Sequence, residues 1–532
     1  MRWAALAGLP LAFLGYFFVY PLLTVLVTGI TGGDGVNPMV EIARRESLLG
    51  VAWFTLWQAT ASTALTLLVG IPGAYVLARY AFPGRRLVRA LTIVPFVLPT
   101  VVVGTAFLAL LGPGGVLGVD LSRTITAILL AHVFFNYAVV VRTVGAYWEQ
   151  MDPRTTEAAR MLGAGPVRTF REITLPLLAP AIASAASIVF LFTFTSFGIV
   201  LILGGLEHAT LEVEIWRQAT GLLQLPIAAG LATLQLVGVA AILWAYSRYQ
   251  ERRGIQTTIR PATKRLAPVG PRRWILGLNL IFMGVLLGTP IVVLVYRSLT
   301  PGGTFGFSAY TRLVERTGTG LFVAPTTAIA NSVGFALVAT VIAVVVGSMA
   351  AAIVAYRKGP LGRTFDALLM LPLGTSAVTL GFGFLLALDT PVDLRTSLWL
   401  IPIAHALVAI PFVVRTAVPV MRRVRTQLRE AAMVLGASPA RAWREIDLPI
   451  VARAVAVGAG FAVAISLGEF GATSFIARPG SPTLPIAIYR LLGQPGTVTF
   501  GRAMALSVVL MIITTAAVLV AERARPPGGE EL

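Results

Sequence analysis

The sequence predicts an all-α polytopic membrane protein with about 12 transmembrane helices in two homologous six-span halves. Three observations carry that prediction. The 532-residue chain is 57% hydrophobic and only 12% charged, against roughly 25% charged residues in soluble domains, and its mean hydropathy is +0.84. Apolar stretches of the roughly 20 residues needed to cross a hydrocarbon core recur along its length. One polar segment also occurs twice, as EAARMLGAGPVRTFREITLP at 157–176 and EAAMVLGASPARAWREIDLP at 430–449, identical at 13 of 20 positions.

In chain order the spans are expected near 8–30, 50–80, 88–112, 124–147, 178–204, 222–247, 274–298, 327–356, 364–388, 396–420, 450–477 and 500–521. The first follows one Arg and lacks a small-residue cleavage site, so it reads as a retained span rather than a removed signal peptide. Pro95, Pro99, Pro372 and Pro411 fall in mid-span, where neighbouring helices can satisfy the freed backbone groups. Basic residues set the orientation. Arg79, Arg85, Arg86 and Arg89 follow the second span, eight basic residues follow the sixth, and both repeated segments are basic, whereas the loops near 113–123 and 389–395 carry one Arg each. Both termini are therefore expected in the cytosol.

The net charge of +19 fits a membrane surface. Without an aromatic-interleaved basic patch or zinc-finger spacing it does not indicate nucleic acid. Zero cysteines exclude disulfides and thiolate metal sites.

The duplication extends beyond the quoted segment. AHVFFNYAVVVRTV begins at Ala131 and AHALVAIPFVVRTAV at Ala404, the same 273-residue offset that separates Glu157 from Glu430. Phe197-Gly198 and Phe470-Gly471 keep it, as do Ile215 and Arg217 with Ile488 and Arg490. Further upstream, RALTIVP matches DALLMLP at an offset of 277, so one loop differs in length. The expected organisation is a first half over 1–247, a basic cytosolic linker over 248–273 and a second half over 274–532, related as parallel repeats by an axis along the membrane normal.

Each repeated segment reads as helix, sharp turn, helix, outside the bilayer. Gly163 and Gly436 sit where a helix end often needs a left-handed residue. Pro166 and Pro439 open a second run, which Ser438 could cap, and Asp152-Pro153 could start the first run. Pro176 and Pro449 should end the unit and begin the next span. Phe170 and Ile173, or Trp443 and Ile446, are candidate anchors for a partner groove. The alternative is that these rings tuck back against the membrane surface.

These segments resemble the EAA loop of the membrane subunits of ABC importers. Glu157, Ala158, Ala159, Gly163, Ile173, Leu175 and Pro176 match its pattern, and Glu430, Ala431, Ala432, Gly436, Ile446, Leu448 and Pro449 match it again. The resemblance implies the type I importer permease fold, with each loop resting on an ATPase subunit. It further implies two such subunits, expected as a homodimer, and an extracytoplasmic substrate-binding protein. A double-length chain resembles the fused permeases for thiamine and for ferric iron, with thiamine favoured.

No cofactor is expected on this chain. A P-loop needs a Gly-rich turn followed by Lys, and neither lysine, Lys264 or Lys358, follows one. ATP–Mg thus belongs to the partner. No HExxH, GxSxG or acid cluster suggests an enzyme or a metal site.

A charged residue within a span is a functional candidate by default. Glu469 is the clearest, with Ser196 as its first-half equivalent and Asn136 as a further polar candidate for the translocation path. Glu469 could attract a cation or serve packing and gating. His132 and His405, also equivalent, read as helix-bridging residues, and Asn331 is another polar residue in an apolar run. A 12-span secondary transporter would share the topology but leave the repeated loops without a purpose.

Overall fold

The computed structural model describes residues 2–32, 37–205, 207–252, 265–315, 321–357, 359–390, 392–424 and 426–523. Among them every regular element is a helix, and the only β contact is an isolated bridge between Tyr80 and Leu266. Helices satisfy all backbone groups within one segment, as a bilayer demands.

The first half comprises α1 (Leu6–Thr31), α2 (Glu46–Arg79), α3 (Arg85–Val97), α4 (Thr100–Leu111), α5 (Ile125–Gln150), α6 (Pro153–Met161), α7 (Pro166–Phe194), the short α8 (Gly198–Leu203) and α9 (Leu211–Trp216), and α10 (Leu225–Arg252). The second half repeats the order: α11 (Arg272–Leu299), α12 (Pro325–Tyr356), α13 (Phe365–Pro372), α14 (Ala377–Ala387), α15 (Leu400–Arg423), α16 (Thr426–Val434), α17 (Pro439–Gly468), α18 (Thr473–Ile476), α19 (Leu484–Leu492) and α20 (Thr497–Arg523). Ten of these helices are long and apolar enough to span a membrane, and the pairs α3–α4 and α13–α14 raise the total to 12 if each counts as one span.

Four expected spans are not straight helices. α3 meets α4 at 99°, and α13 meets α14 at 95°. Leu98 is extended because Pro99 disfavours the helical conformation in the residue before it. In the second half Ser376 makes the break, its Oγ accepting from Val378 N at 3.0 Å and Thr379 N at 3.2 Å. The stretches expected at 178–204 and 450–477 also break, since α7 ends at Phe194 and α17 at Gly468. Pro411, by contrast, stays inside the continuous α15.

Each half lends its first helix to the other. α1 packs on α12 and α14, where Pro21 fits against Gly383 and Phe17 meets Phe384 at 6.4 Å. α11 packs on α4 and α2. The central part of the expected linker, 253–264 with Lys264, lies outside the described residues, as does Lys358. The rest is partly helical, because α10 reaches Arg252 and α11 starts at Arg272. Between them, Leu266 N donates to Arg79 O at 2.9 Å and Ala81 N donates to Leu266 O at 3.0 Å. Arg85, Arg89 and Arg265 converge on Glu149 at 2.5, 3.6 and 3.6 Å.

Candidate functional site

The two repeated loops share one backbone. Asp152 opens α6 by accepting from Arg154 N at 3.0 Å. At its end Gly163 has φ +84, Gly163 N donates to Arg160 O at 3.0 Å, and Ala164 N donates to Ala159 O at 3.0 Å. After α16, Gly436 has φ +88, with the equivalent bonds to Met433 O at 3.0 Å and Ala432 O at 2.9 Å. This closure turns the chain sharply, and its left-handed residue favours glycine. Ser438 Oγ accepts from Arg441 N at 3.3 Å.

The second run does not stop at Pro176 or Pro449, contrary to the expectation. It continues into the membrane as one helix in each half, through a π turn at Phe170–Thr174 and another at Trp443–Asp447. Each widened turn relieves the clash between a proline ring and the preceding turn and tolerates its missing N–H.

The most exposed apolar groups of the loops are not the expected anchors. Met161 and Leu162 are each 89% exposed, and Val434 and Leu435 are 86% and 87% exposed. Phe170 instead stacks on Trp148 at 6.4 Å, while Trp443 remains about half exposed. Glu157, Ala158, Glu430 and Ala431 face outward, as do Leu175, Pro176, Leu448 and Pro449, whereas Ala159 is buried and Ala432, Ile173 and Ile446 are half-buried. The signal for the exposed doublets was present in sequence, since each immediately precedes a turn glycine.

Ser196 and Glu469 lie at the two breaks inside the membrane. In the first half, His132 Nδ1 is 3.0 Å from Ser62 Oγ and its Nε2 is 2.9 Å from Ser196 Oγ. In the second, His405 Nδ1 is 2.7 Å from Ser466 Oγ, and its Nε2 is 2.8 Å from Thr473 Oγ1 and 3.2 Å from Glu469 Oε2. Glu469 also accepts from Ala472 N at 2.7 Å, from Thr473 N at 3.0 Å and from Thr473 Oγ1. Both its carboxylate oxygens are therefore occupied by donors that fix the turn into α18. Asn136 is buried; it donates to His132 O at 3.0 Å, and its Oδ1 has no partner. Asn331 donates to Pro482 O at 3.1 Å.

Beside the two breaks, four rings meet between the halves as two equivalent pairs. Phe197 lies 5.2 Å from Phe470, Trp216 lies 6.1 Å from Tyr489, and Phe197–Trp216 and Phe470–Tyr489 close the cluster at 6.3 and 5.6 Å. Tyr489 also lines a cavity of about 640 Å³ whose wall includes Asp120, Ser122 and Arg123 from the loop opposite the basic side. Trp216 and Tyr489 keep the 273-residue offset, but only the fold reveals that they join the phenylalanines.

Sequence reasoning missed two acids in α9. Glu212 and Glu214 are fully buried, and the equivalent positions are Pro485 and Ala487. Glu212 accepts from Gln235 Nε2 and, across the boundary between halves, from Ser376 Oγ at 2.7 Å. Glu214 Oε1 takes Arg217 at 2.8 Å and Gln218 at 2.6 Å, while its Oε2 has no partner. Lying in a segment too short to span, they drew no attention as intramembrane charges.

Residues 70–253 and 343–525 each match one family model, that of the binding-protein-dependent transport system inner membrane component. The thiamine transport system permease protein ThiP of Brucella abortus (strain 2308) is 29% identical over 542 residues, covering 97% of this chain and 94% of that protein. ThiP of Escherichia coli (strain K12) is 27% identical, covering 86% of this chain and 87% of that protein. A Haloferax volcanii protein described as a "Probable molybdenum ABC transporter permease protein" is 32% identical over 239 residues, covering 44% of this chain and 86% of that protein.

Proposed function

The chain belongs to the binding-protein-dependent transport system inner membrane component family, and from that premise we propose that the solute it conducts is thiamine. It is the multi-pass permease subunit of an ABC importer in the inner membrane, a transport subunit rather than an enzyme. The observation that carries the thiamine reading is likeness to a thiamine permease through both halves, across 97% of this chain. The buried Glu212 agrees with it, because a carboxylate that meets only neutral donors between the halves suits a positively charged solute. The four adjacent rings can also face a cationic heterocycle.

In this reading the halves 1–247 and 274–532, joined by the linker, enclose the path. The loops at Gly163 and Gly436 seat on two identical ATPase subunits, with Met161-Leu162 and Val434-Leu435 entering their grooves. Apolar tips bordered by arginines suit such docking. ATP binding on the partners draws the loops together, and α7 and α17 transmit the movement because each loop's second run is continuous with its membrane helix. The breaks at Ser196 and Glu469 then move the ring cluster, opening the path toward a loaded binding protein. Hydrolysis returns it.

The test is affinity purification of the whole complex, an ATPase assay, and binding of thiamine and ferric iron to the co-purifying binding protein. Recovery of an ATPase and a thiamine-binding partner is the expected result. An iron-binding partner would overturn the solute and keep the mechanism. Transport driven by an ion gradient, with no ATPase recovered, would overturn the coupling role of the loops.

A further inference from the structure

The two cytosolic ends share a backbone plan and are filled differently. In the second half Arg429 closes on Asp447, its Nε 2.9 Å from both carboxylate oxygens, and its Nη2 donates to Tyr356 Oη at 3.0 Å. The guanidinium also lies 5.2 Å from the centre of the Tyr356 ring. Asp447 is buried, and its hydrogen bonds push the pKa of Arg429 up. In the first half the positions of Arg429 and Asp447 are held by Thr156 and Thr174. Both threonines line a cavity of about 370 Å³.

Three cations and one carboxylate, Asp152, line that space, so its balance is positive. Arg79 comes from the end of α2, Arg160 from α6 and Arg272 from the start of α11. Among the described residues none of the three makes an ion pair or a side-chain hydrogen bond. Tyr75, Trp148 and Phe170 line the same cavity, with Leu266 of the linker closing one side. The second half replaces Arg79 with Tyr356, Arg160 with Met433 and Trp148 with Met421, so the cationic lining belongs to the first half.

We propose that this cavity binds a phosphate-bearing ligand, held by Arg79, Arg160 and Arg272, with its apolar part against Tyr75 and Trp148. Guanidinium groups match phosphate oxygens through paired hydrogen bonds, and basic pockets between helices at the cytosolic membrane surface suit anionic headgroups. The source is either an anionic phospholipid or a soluble phosphate compound. Since Arg160 lies in the coupling loop and Arg272 at the end of the linker, an occupied site ties the linker to the loop of one half only. The proposal does not depend on the solute.

The test is equilibrium binding to the delipidated full chain in neutral detergent. The probes are labelled short-chain phosphatidylglycerol and labelled inorganic phosphate, with zwitterionic phosphatidylcholine, whose phosphate is balanced by its own choline, as the net-neutral comparison. Two variants approach the site independently. Arg79→Gln with Arg160→Gln removes two of the three cations, and Thr156→Arg with Thr174→Asp fills the cavity with the pair the second half uses. The expected result is saturable binding of an anionic probe to wild type, weakened at least about tenfold in each monodisperse variant, and no binding of phosphatidylcholine. Phosphatidylglycerol alone identifies a lipid, whereas tight binding of inorganic phosphate identifies a soluble ligand. No saturable binding to wild type, or binding by a variant as tight as wild type, would overturn the proposal.

Discussion

The two halves keep the same backbone devices and differ in the side chains that secure them. Both turn their loops through a left-handed glycine, at Gly163 and Gly436, and both hold their membrane break with one histidine, His132 or His405. Yet the first half secures the break with serines, while the second adds a carboxylate. The first leaves its cytosolic end open around threonines, and the second locks it with Arg429–Asp447. The first alone carries buried acids in α9. Duplication thus preserves what the backbone cannot do otherwise, and side-chain chemistry diverges wherever several solutions fill the same space.

The largest expected effect tests the shared part. Gly163→Asp and Gly436→Asp should each abolish uptake while the chain still inserts, measured by labelled-solute uptake beside membrane immunoblots. No Cβ clash exists at either glycine, so the damage comes from the left-handed backbone and from a charge added at an exposed loop tip. Asparagine tolerates that backbone better, so Gly→Asn should retain more transport than Gly→Asp. Normal ATP-driven uptake in both aspartate variants would overturn the role of the loops in transport, and normal uptake in only one would break their equivalence.

The next effect separates the halves. Asp447→Asn weakens a partly buried ion pair and should cost roughly 3 kcal/mol of stability, read as a lowered thermal midpoint of the purified chain. Thr174→Val, at the matching position, should cost less than about 1 kcal/mol. Equal losses would mean that the cytosolic lock contributes nothing beyond packing.

A smaller difference is expected at the breaks. His405→Ala deprives the buried Glu469 of a partner and should cost about 2 kcal/mol, against about 1 kcal/mol for His132→Ala, which frees only hydroxyls. Comparing the two thermal midpoints decides the order. The smallest change concerns the acids. Glu212→Gln with Glu214→Gln should lower thiamine uptake about threefold, equivalent to about 0.7 kcal/mol, without reducing recovery of the ATPase. Unchanged uptake would remove the acids from the solute's path.

Much of this was legible before the fold was known. The offset between Glu157 and Glu430 gave two halves, Gly163 and Gly436 gave the turns, and the paired histidines gave a helix-bridging role. The bends within the spans expected at 88–112 and 364–388 were not legible, because hydropathy measures length and apolarity, not direction. Pro99 can be absorbed or can turn a helix, and Ser376 caps one only when the chain has already bent. Hydropathy likewise passed over Glu212 and Glu214, since α9 is too short to register as a span.

The sequence by itself determined the membrane environment, the duplication and the turns of the two repeated loops, because composition, periodicity and glycine conformation are local properties. Only the tertiary structure decided which halves exchange their first helices and which four rings meet between the halves. It also showed that both oxygens of Glu469 are occupied while one oxygen of Glu214 is not. Those facts depend on distances between residues far apart in the chain, and packing sets such distances only after every helix has found its neighbours.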